Sequence, residues 1–327
     1  MNNSFGSKFT IELWGASHAP QIGIRLGGVP RGIALCEADF VADIERRRPG
    51  KVGTTTRHES DIPHIMAGVS DGVTTGEAIE IIFENNNVRS NDYEQFRRMP
   101  RPSHVEFVAR AKYGEEFDLR GGGIFSGRMT LLIVAAGVVA KKMVPMLSFA
   151  TEVVEIGGSR DKAHFSDIVA AAQRDGDSVG GVVECRVHGV PVGVGEPYFD
   201  SVESVVAHML FSVPAIKGVE FGSGFAGVAL RGSERNDCFV DAEGRTATNN
   251  EGGINGGISN GNDIVVRAAV KPTASIARPQ QTYSYASGKV EELRIGGRHD
   301  ACIALRAGVV VEAAVAIALA DLSMQRI

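Results

Sequence analysis

The sequence has little of what marks many protein classes at a glance. Its four cysteines, Cys36, Cys185, Cys238 and Cys302, are far apart and form no C-x-x-C pair. That argues against a disulfide framework or a zinc site and predicts free thiols in a reducing compartment. The longest apolar run, 131–140, stops at Lys141-Lys142, short of the roughly 20 residues that a spanning helix needs. The opening MNNSFGSKF has no apolar core of the signal-peptide kind. A cytoplasmic protein with no membrane partner is therefore expected. Aromatic residues are only 6% of the chain and the net charge is −5, with no base-stacking motif, so Arg46-Arg47-Arg48 does not predict a nucleic-acid partner. Any anion site has to be a local basic pocket. HExxH, GxSxG and the GK[ST] ending of a phosphate loop are all missing, which leaves zinc hydrolysis, a hydrolase triad and P-loop chemistry without support.

What is plentiful is glycine, 40 of 327 residues, against about 7% in ordinary proteins. These glycines separate periodic segments, so they predict many tight turns and places where the backbone approaches something closely. Phe9, Ile11 and Leu13 alternate with polar residues, as do Ile22, Ile24 and Leu26 after a short turn, which predicts a hairpin. Val183, Cys185 and Val187 form another alternating run, and Ile264, Val266, Ala268 and Val270 a fourth. Alternation of this kind favours antiparallel sheet with one buried face. Residues 129–142 and 309–322 are apolar nearly all round, the second interrupted by Glu312 and Asp321, and read as buried helices. Residues 201–212 read as an amphipathic helix. Buried helices beside alternating strands predict an α+β fold with helices between antiparallel sheets, in one domain over 1–327.

The unusual residues fall in loops. Gly15-Ala16-Ser17-His18 occupies the hairpin turn, where the imidazole either bonds to backbone or reaches a ligand. Arg101-Pro102-Ser103-His104 places a cation and an imidazole on one turn. Arg120-Gly121-Gly122-Gly123 and Ser126-Gly127-Arg128 lead into a buried helix, whose N-terminus favours anions. Lys271-Pro272-Thr273-Ala274-Ser275 offers a cation and two hydroxyls after a strand. Gly297-Arg298-His299-Asp300 clusters a cation, an imidazole and a carboxylate, and is either a solvated turn or a site. Residues 85–104 are polar and basic, and residues 252–261 are rich in glycine; long polar loops in compact folds carry function or stay disordered. Several basic turns in an acidic chain suggest one small, multiply charged ligand held by arginine forks.

Three long segments carry a resemblance. GASHAPQIGIRLGGVPRG, RGGGIFSGRMTLLIVAAGVVAKK and GRHDACIALRAGVVVEAAVAIALADL resemble the three signatures of the chorismate synthase family. RRRPG, RPSH, KYG, PAIKGVEFG, GGINGGISNG and KPTAS fall between them in the family's order, so the resemblance covers essentially the whole chain. It implies a β-α-β sandwich of antiparallel sheets enclosing helices, assembled as a homotetramer. It implies a lyase that converts 5-enolpyruvylshikimate 3-phosphate to chorismate by 1,4-elimination, the last common step towards the aromatic amino acids, with reduced FMN and no net redox change.

By the same resemblance, His18 protonates the reduced flavin, His104 assists the departing phosphate, and Asp300 works with the flavin in removing the ring proton. Arg47, Arg48, Arg101, Arg128 and Arg298 clamp phosphate and carboxylates, and Ser17 hydrogen-bonds the substrate. Phe125, Ser126, Ala215, Gly256, Lys271, Pro272, Thr273, Ala274, Ser275 and Arg298 match flavin-binding positions. Some family members reduce their own flavin with NADPH. No strand–GxGxxG–helix fingerprint for a nicotinamide is present here, which favours an external reductant.

Three positions depart from the family pattern. Ala16 stands where Glu is usual, Ile124 replaces a basic or polar residue, and Gly53 lies where an arginine is often near. They motivate an alternative: a divergent, inactive paralogue that binds FMN or a phosphorylated metabolite.

Overall fold

The structure, a computed structural model, describes residues 3–50, 53–54, 60–85, 94–297 and 299–325. Two antiparallel sheets dominate it. The first has five strands in the order Ser4–Phe5, Thr10–Gly15, Gln21–Gly27, Ile79–Glu84 and His64–Ala67. The alternation read from the sequence sets its buried face: Ile22, Ile24 and Leu26 stand opposite Phe83, Ile81 and Ile79, and all six are fully buried. The second sheet has four strands, ordered Ile216–Phe221, Ile264–Val270, Gly181–His188 and Ser148–Ile156. Val183, Cys185 and Val187 pair with Ala268, Val266 and Ile264 and are likewise buried. On the opposite face of the same two strands, Arg267 Nε donates to Glu184 at 2.8 Å across the register. Period-2 patterning thus decided which face of each sheet became core.

Between the sheets run two apolar helices. Helix Thr130–Met143 packs against strand Gln21–Gly27, and helix Ala304–Gln325 packs against Ser148–Ile156 and Gly181–His188. Helix Val202–Phe211 lies against the second of them, with Ser201 as N-cap accepting from Ser204 N at 3.0 Å. One continuous cluster of buried apolar side chains joins both sheets and the helices. The two central helices meet at Gly137. A Cβ built there would lie 2.4 Å from Ala313 Cβ, so the close approach needs glycine.

The C-terminal helix is longer at both ends than the 309–322 expected from the sequence, and the two acids that interrupt its apolar pattern are satisfied inside the fold. Glu312 accepts from Arg46 Nη2 at 2.6 Å and Thr151 Oγ1 at 2.8 Å, and also pairs with Lys141. Asp321 accepts from the backbone N–H groups of Ser7, Lys8 and Phe9 at 3.0, 2.6 and 2.9 Å, tying the two ends of the described chain together. Segments Arg120–Met143 and Ala304–Gln325 are both long and apolar enough to cross a membrane, but 78% and 83% of their apolar windows are buried in the fold. They are core helices. The four cysteines are free thiols, Cys185 and Cys302 buried, Cys36 and Cys238 exposed.

Candidate active site

A cavity of about 780 Å³ opens where the first sheet's hairpin turn, the glycine loop before helix Thr130–Met143 and the start of the C-terminal helix meet. Its wall is built first by the glycines. Gly121, Gly122 and Gly123 all take positive φ, at 62°, 86° and 57°. This left-handed run is open to glycine alone at low cost, and it lays the loop directly on the hairpin turn. Ser17 N donates to Gly123 O at 3.1 Å. A Cβ on Gly121 would come within 2.6 Å of His18 Nε2 and 2.7 Å of Ser17 Oγ. Ser126 then caps the following turn, accepting from Arg128 N at 3.2 Å.

Asn85 locks the same turn from the far side. Its amide donates to the carbonyls of Ala16 and Ala19 at 3.2 and 2.7 Å, while its oxygen accepts from Arg128 Nε at 3.0 Å. Ala16 therefore serves through its carbonyl, and no carboxylate stands at that position. Ile124 lines the cavity, and Gly53 does not. Gly53 has φ +84° and packs on Val169, and its carbonyl accepts from Ala301 N at 2.8 Å beside Asp300.

The cations come next. Arg47, at the end of helix Val41–Arg47, is buried. It donates to Thr130 Oγ1 and Gly127 O at 3.0 Å each and lies 3.5 Å from Asp61. Burial pulls its guanidinium down to about 9, against the attraction of Asp61, so it stays charged at neutral pH. Arg128 pairs with the other oxygen of Asp61. Arg101 is buried, donates to Ser275 Oγ at 2.9 Å and pairs with Glu106. Lys271 Nζ donates to Ser103 O at 2.8 Å, and burial with nearby Lys217 lowers its pKa. Arg306 Nη1 lies 3.2 and 3.1 Å from the two Asp300 oxygens. Among the described residues the lining holds Arg47, Arg101, Arg128, Lys217, Lys271 and Arg306 against Asp61 and Asp300. The pocket is locally basic in a chain of net charge −5, as the composition required.

Most of the expected positions converge here. His18, His104, Asp300, Arg47, Arg101, Arg128, Phe125, Ser126, Ala215 and Lys271 to Ser275 line the cavity. Ser17 lies just behind the wall, fully buried, and its Oγ has no hydrogen-bond partner among the described residues. His299 also lines the cavity, and its pKa is lowered, chiefly by burial.

Two expected positions stand elsewhere. Arg48 turns outward to pair with Glu45 and donate to Ser60 O, because the helix ends at Arg47 and the chain leaves extended, with Arg48 at ψ 149°. Gly256 occupies the turn of the hairpin Ile254–Asn255 and Ile258–Ser259, away from the cavity lining. Arg298 lies outside the described residues.

Sequence reasoning passed over Asp61, Asn85, Glu106, Lys217 and Arg306. Glu106 follows His104 by two residues and Arg306 follows Asp300 by six, inside segments already singled out. Asn85 opens the polar stretch 85–104 and Lys217 lies within PAIKGVEFG, whereas Asp61 offered no such signal.

Comparison with known proteins agrees with this architecture. The family described as chorismate synthase matches residues 9–324. A chorismate synthase of Chitinophaga pinensis is 53% identical over 320 residues, covering 98% of this chain and 96% of that one. One from Opitutus terrae is 41% identical over 351 residues, with 98% and 96% covered. Among solved structures, a chorismate synthase crystal structure superimposes with TM-score 0.75 at 26% identity, covering 98% of this chain and 93% of that one. With the α+β sandwich, the glycine-walled cavity and near full-length kinship all in agreement, this chain belongs to the chorismate synthase family and is a lyase of that kind.

Proposed function

We propose that the cavity binds 5-enolpyruvylshikimate 3-phosphate together with reduced FMN and releases chorismate and phosphate. The observation that carries the reading is the convergence of His18, His104 and Asp300, from three distant segments, on one basic cavity. The cavity's residues suit a flavin beside an anionic substrate. Its volume is that of a site for one or two small ligands, Ile124, Phe125, Pro272, Ala307 and Val310 give it apolar wall, and the buried Ser17 hydroxyl lacks a protein partner among the described residues. Phe125, Ser126, Ala215 and Lys271 to Ser275 would hold the flavin. When bound, reduced FMN supplies the electron density that a 1,4-elimination from this ring demands.

The chain's own residues do the rest. Arg47, Arg101 and Arg128 clamp the phosphate and carboxylates, and their fixed charge favours the phosphate as it gains charge on leaving. The Asp300 carboxylate accepts the ring proton while the ring C–O bond to phosphate breaks and a new C=C forms, so no electrons are gained or lost overall. His104 donates a proton to the departing phosphate, and His18, which abuts Gly121 on the glycine loop, holds a proton for the flavin, each as a general acid. The protein works in the cytoplasm as a homotetramer of single-domain chains and takes its reduced flavin from an external reductant.

An anaerobic assay with reduced FMN and the enolpyruvyl substrate tests this. Chorismate absorbance should rise with equimolar phosphate release. Bound flavin with no product would overturn the reading in favour of a flavin-binding, inactive paralogue.

A further inference from the structure

Behind the cavity wall, one carboxylate serves a residue on it. Helix Glu106–Tyr113 begins two residues after His104, and Glu106 at its first position is buried. Glu106 Oε1 lies 2.9 Å from His104 Nδ1 and 2.8 Å from Arg101 Nε. Arg101 Nη2 also lies 3.1 Å from His104 Nδ1. Nδ1 cannot serve both neighbours. A guanidinium needs an unprotonated Nδ1 to donate to, whereas a carboxylate needs Nδ1–H. Glu106 stays ionised here, held low by His104 and Arg101 against its burial, and the carboxylate contact is the shorter one.

We infer that Glu106 is a positioning residue for His104: it accepts the Nδ1 proton, fixes the ring, and leaves Nε2 to present its proton to the cavity. Glu106 does not line the cavity itself, so it acts only through its neighbours. After Nε2 has given up its proton, Nδ1–H on Glu106 remains the preferred tautomer, and the ring is set to be reprotonated at Nε2. The other charged or titratable groups facing this imidazole are Arg101, the Lys271 ammonium bound to Ser103 O, and His299. None of the three is an anion, so Glu106 is the one counter-charge in contact with the ring among the described residues.

This inference rests on the proposed acid role of His104, and the test separates the two. Glu106→Gln should lower kcat about tenfold with little change in KM, since the residue acts on His104 and does not touch the cavity. Glu106→Asp, which keeps the carboxylate, should restore part of kcat. In a His104→Ala background, Glu106→Gln should add little, since the two act as a unit. A wild-type protein that makes no chorismate would defeat the functional reading alone. The histidine ¹⁵N spectrum would then still decide the inference: His104 should be the Nδ1–H tautomer in wild type and lose that preference in Glu106→Leu, which has no acceptor there. An unchanged tautomer in Glu106→Leu, or full additivity of Glu106→Gln with His104→Ala, would overturn the positioning role.

Discussion

Arg306 holds Asp300 by one nitrogen, with Nη1 3.1 to 3.2 Å from both carboxylate oxygens, while its Nε donates to the carbonyl of Arg47 at 2.9 Å. One side chain therefore joins the proposed proton acceptor to the arginine helix. Thr273 Oγ1 adds a bond to the Asp300 carbonyl at 2.6 Å, which ties the segment Lys271 to Ser275 to the same turn.

Arg306→Gln should accordingly reduce turnover at least tenfold, because the carboxylate loses its partly buried partner and its orientation, on the scale of about 1–3 kcal/mol for a charged hydrogen bond. Flavin binding should persist. Flavin titration alongside steady-state kinetics checks both halves.

Gly121→Ala should leave the sheets and helices intact but impair the site. The new methyl meets His18 and Ser17, and φ of +62° strains any other residue. Strain of this type costs on the order of 1–3 kcal/mol. A drop of a few degrees in Tm with a much larger loss of turnover is expected; equal activity would show that the loop need not touch the hairpin turn.

Glu312 should make acid stability depend on one buried network. Arg46 and Lys141 hold its carboxyl at about 2, below the ordinary 4.5. A depressed folded value stabilises above pH 4.5, and that stability is lost as pH falls through about 2. Glu312→Gln should remove about 3 kcal/mol at neutral pH and flatten the acid limb across that window. Denaturant melts at pH 7 and pH 3 measure it.

Gly137→Val should destabilise the whole fold. It drives a branched side chain into Ala313 at the crossing of the two central helices, where overpacking costs about 1–3 kcal/mol or more. Thermal unfolding of the purified variant, or its failure to accumulate, tests the contact.

Much of the architecture was legible along the chain. Strand Ile264–Val270 has the span its alternation predicted, since period-2 burial is a local property. The C-terminal helix runs past the expected 309–322 at both ends, and Glu312 and Asp321, which interrupt its apolar pattern, find their partners in Arg46 and the Ser7–Phe9 backbone, about 270 and 310 positions away. Ordered motifs also marked most of the cavity. They did not separate Arg47 from Arg48, neighbours of the same type, which the end of a helix sends to opposite fates.

The sequence by itself determined the secondary structure, the family and the residue types available for chemistry, because periodicity, glycine placement and motif order are written locally. Only the tertiary structure decided which charges meet. Asp61 between Arg47 and Arg128, Glu106 on His104, and Arg306 on Asp300 are pairings made when distant or differently oriented backbone segments close around one cavity. Their strength depends on burial, which no single position along the chain carries.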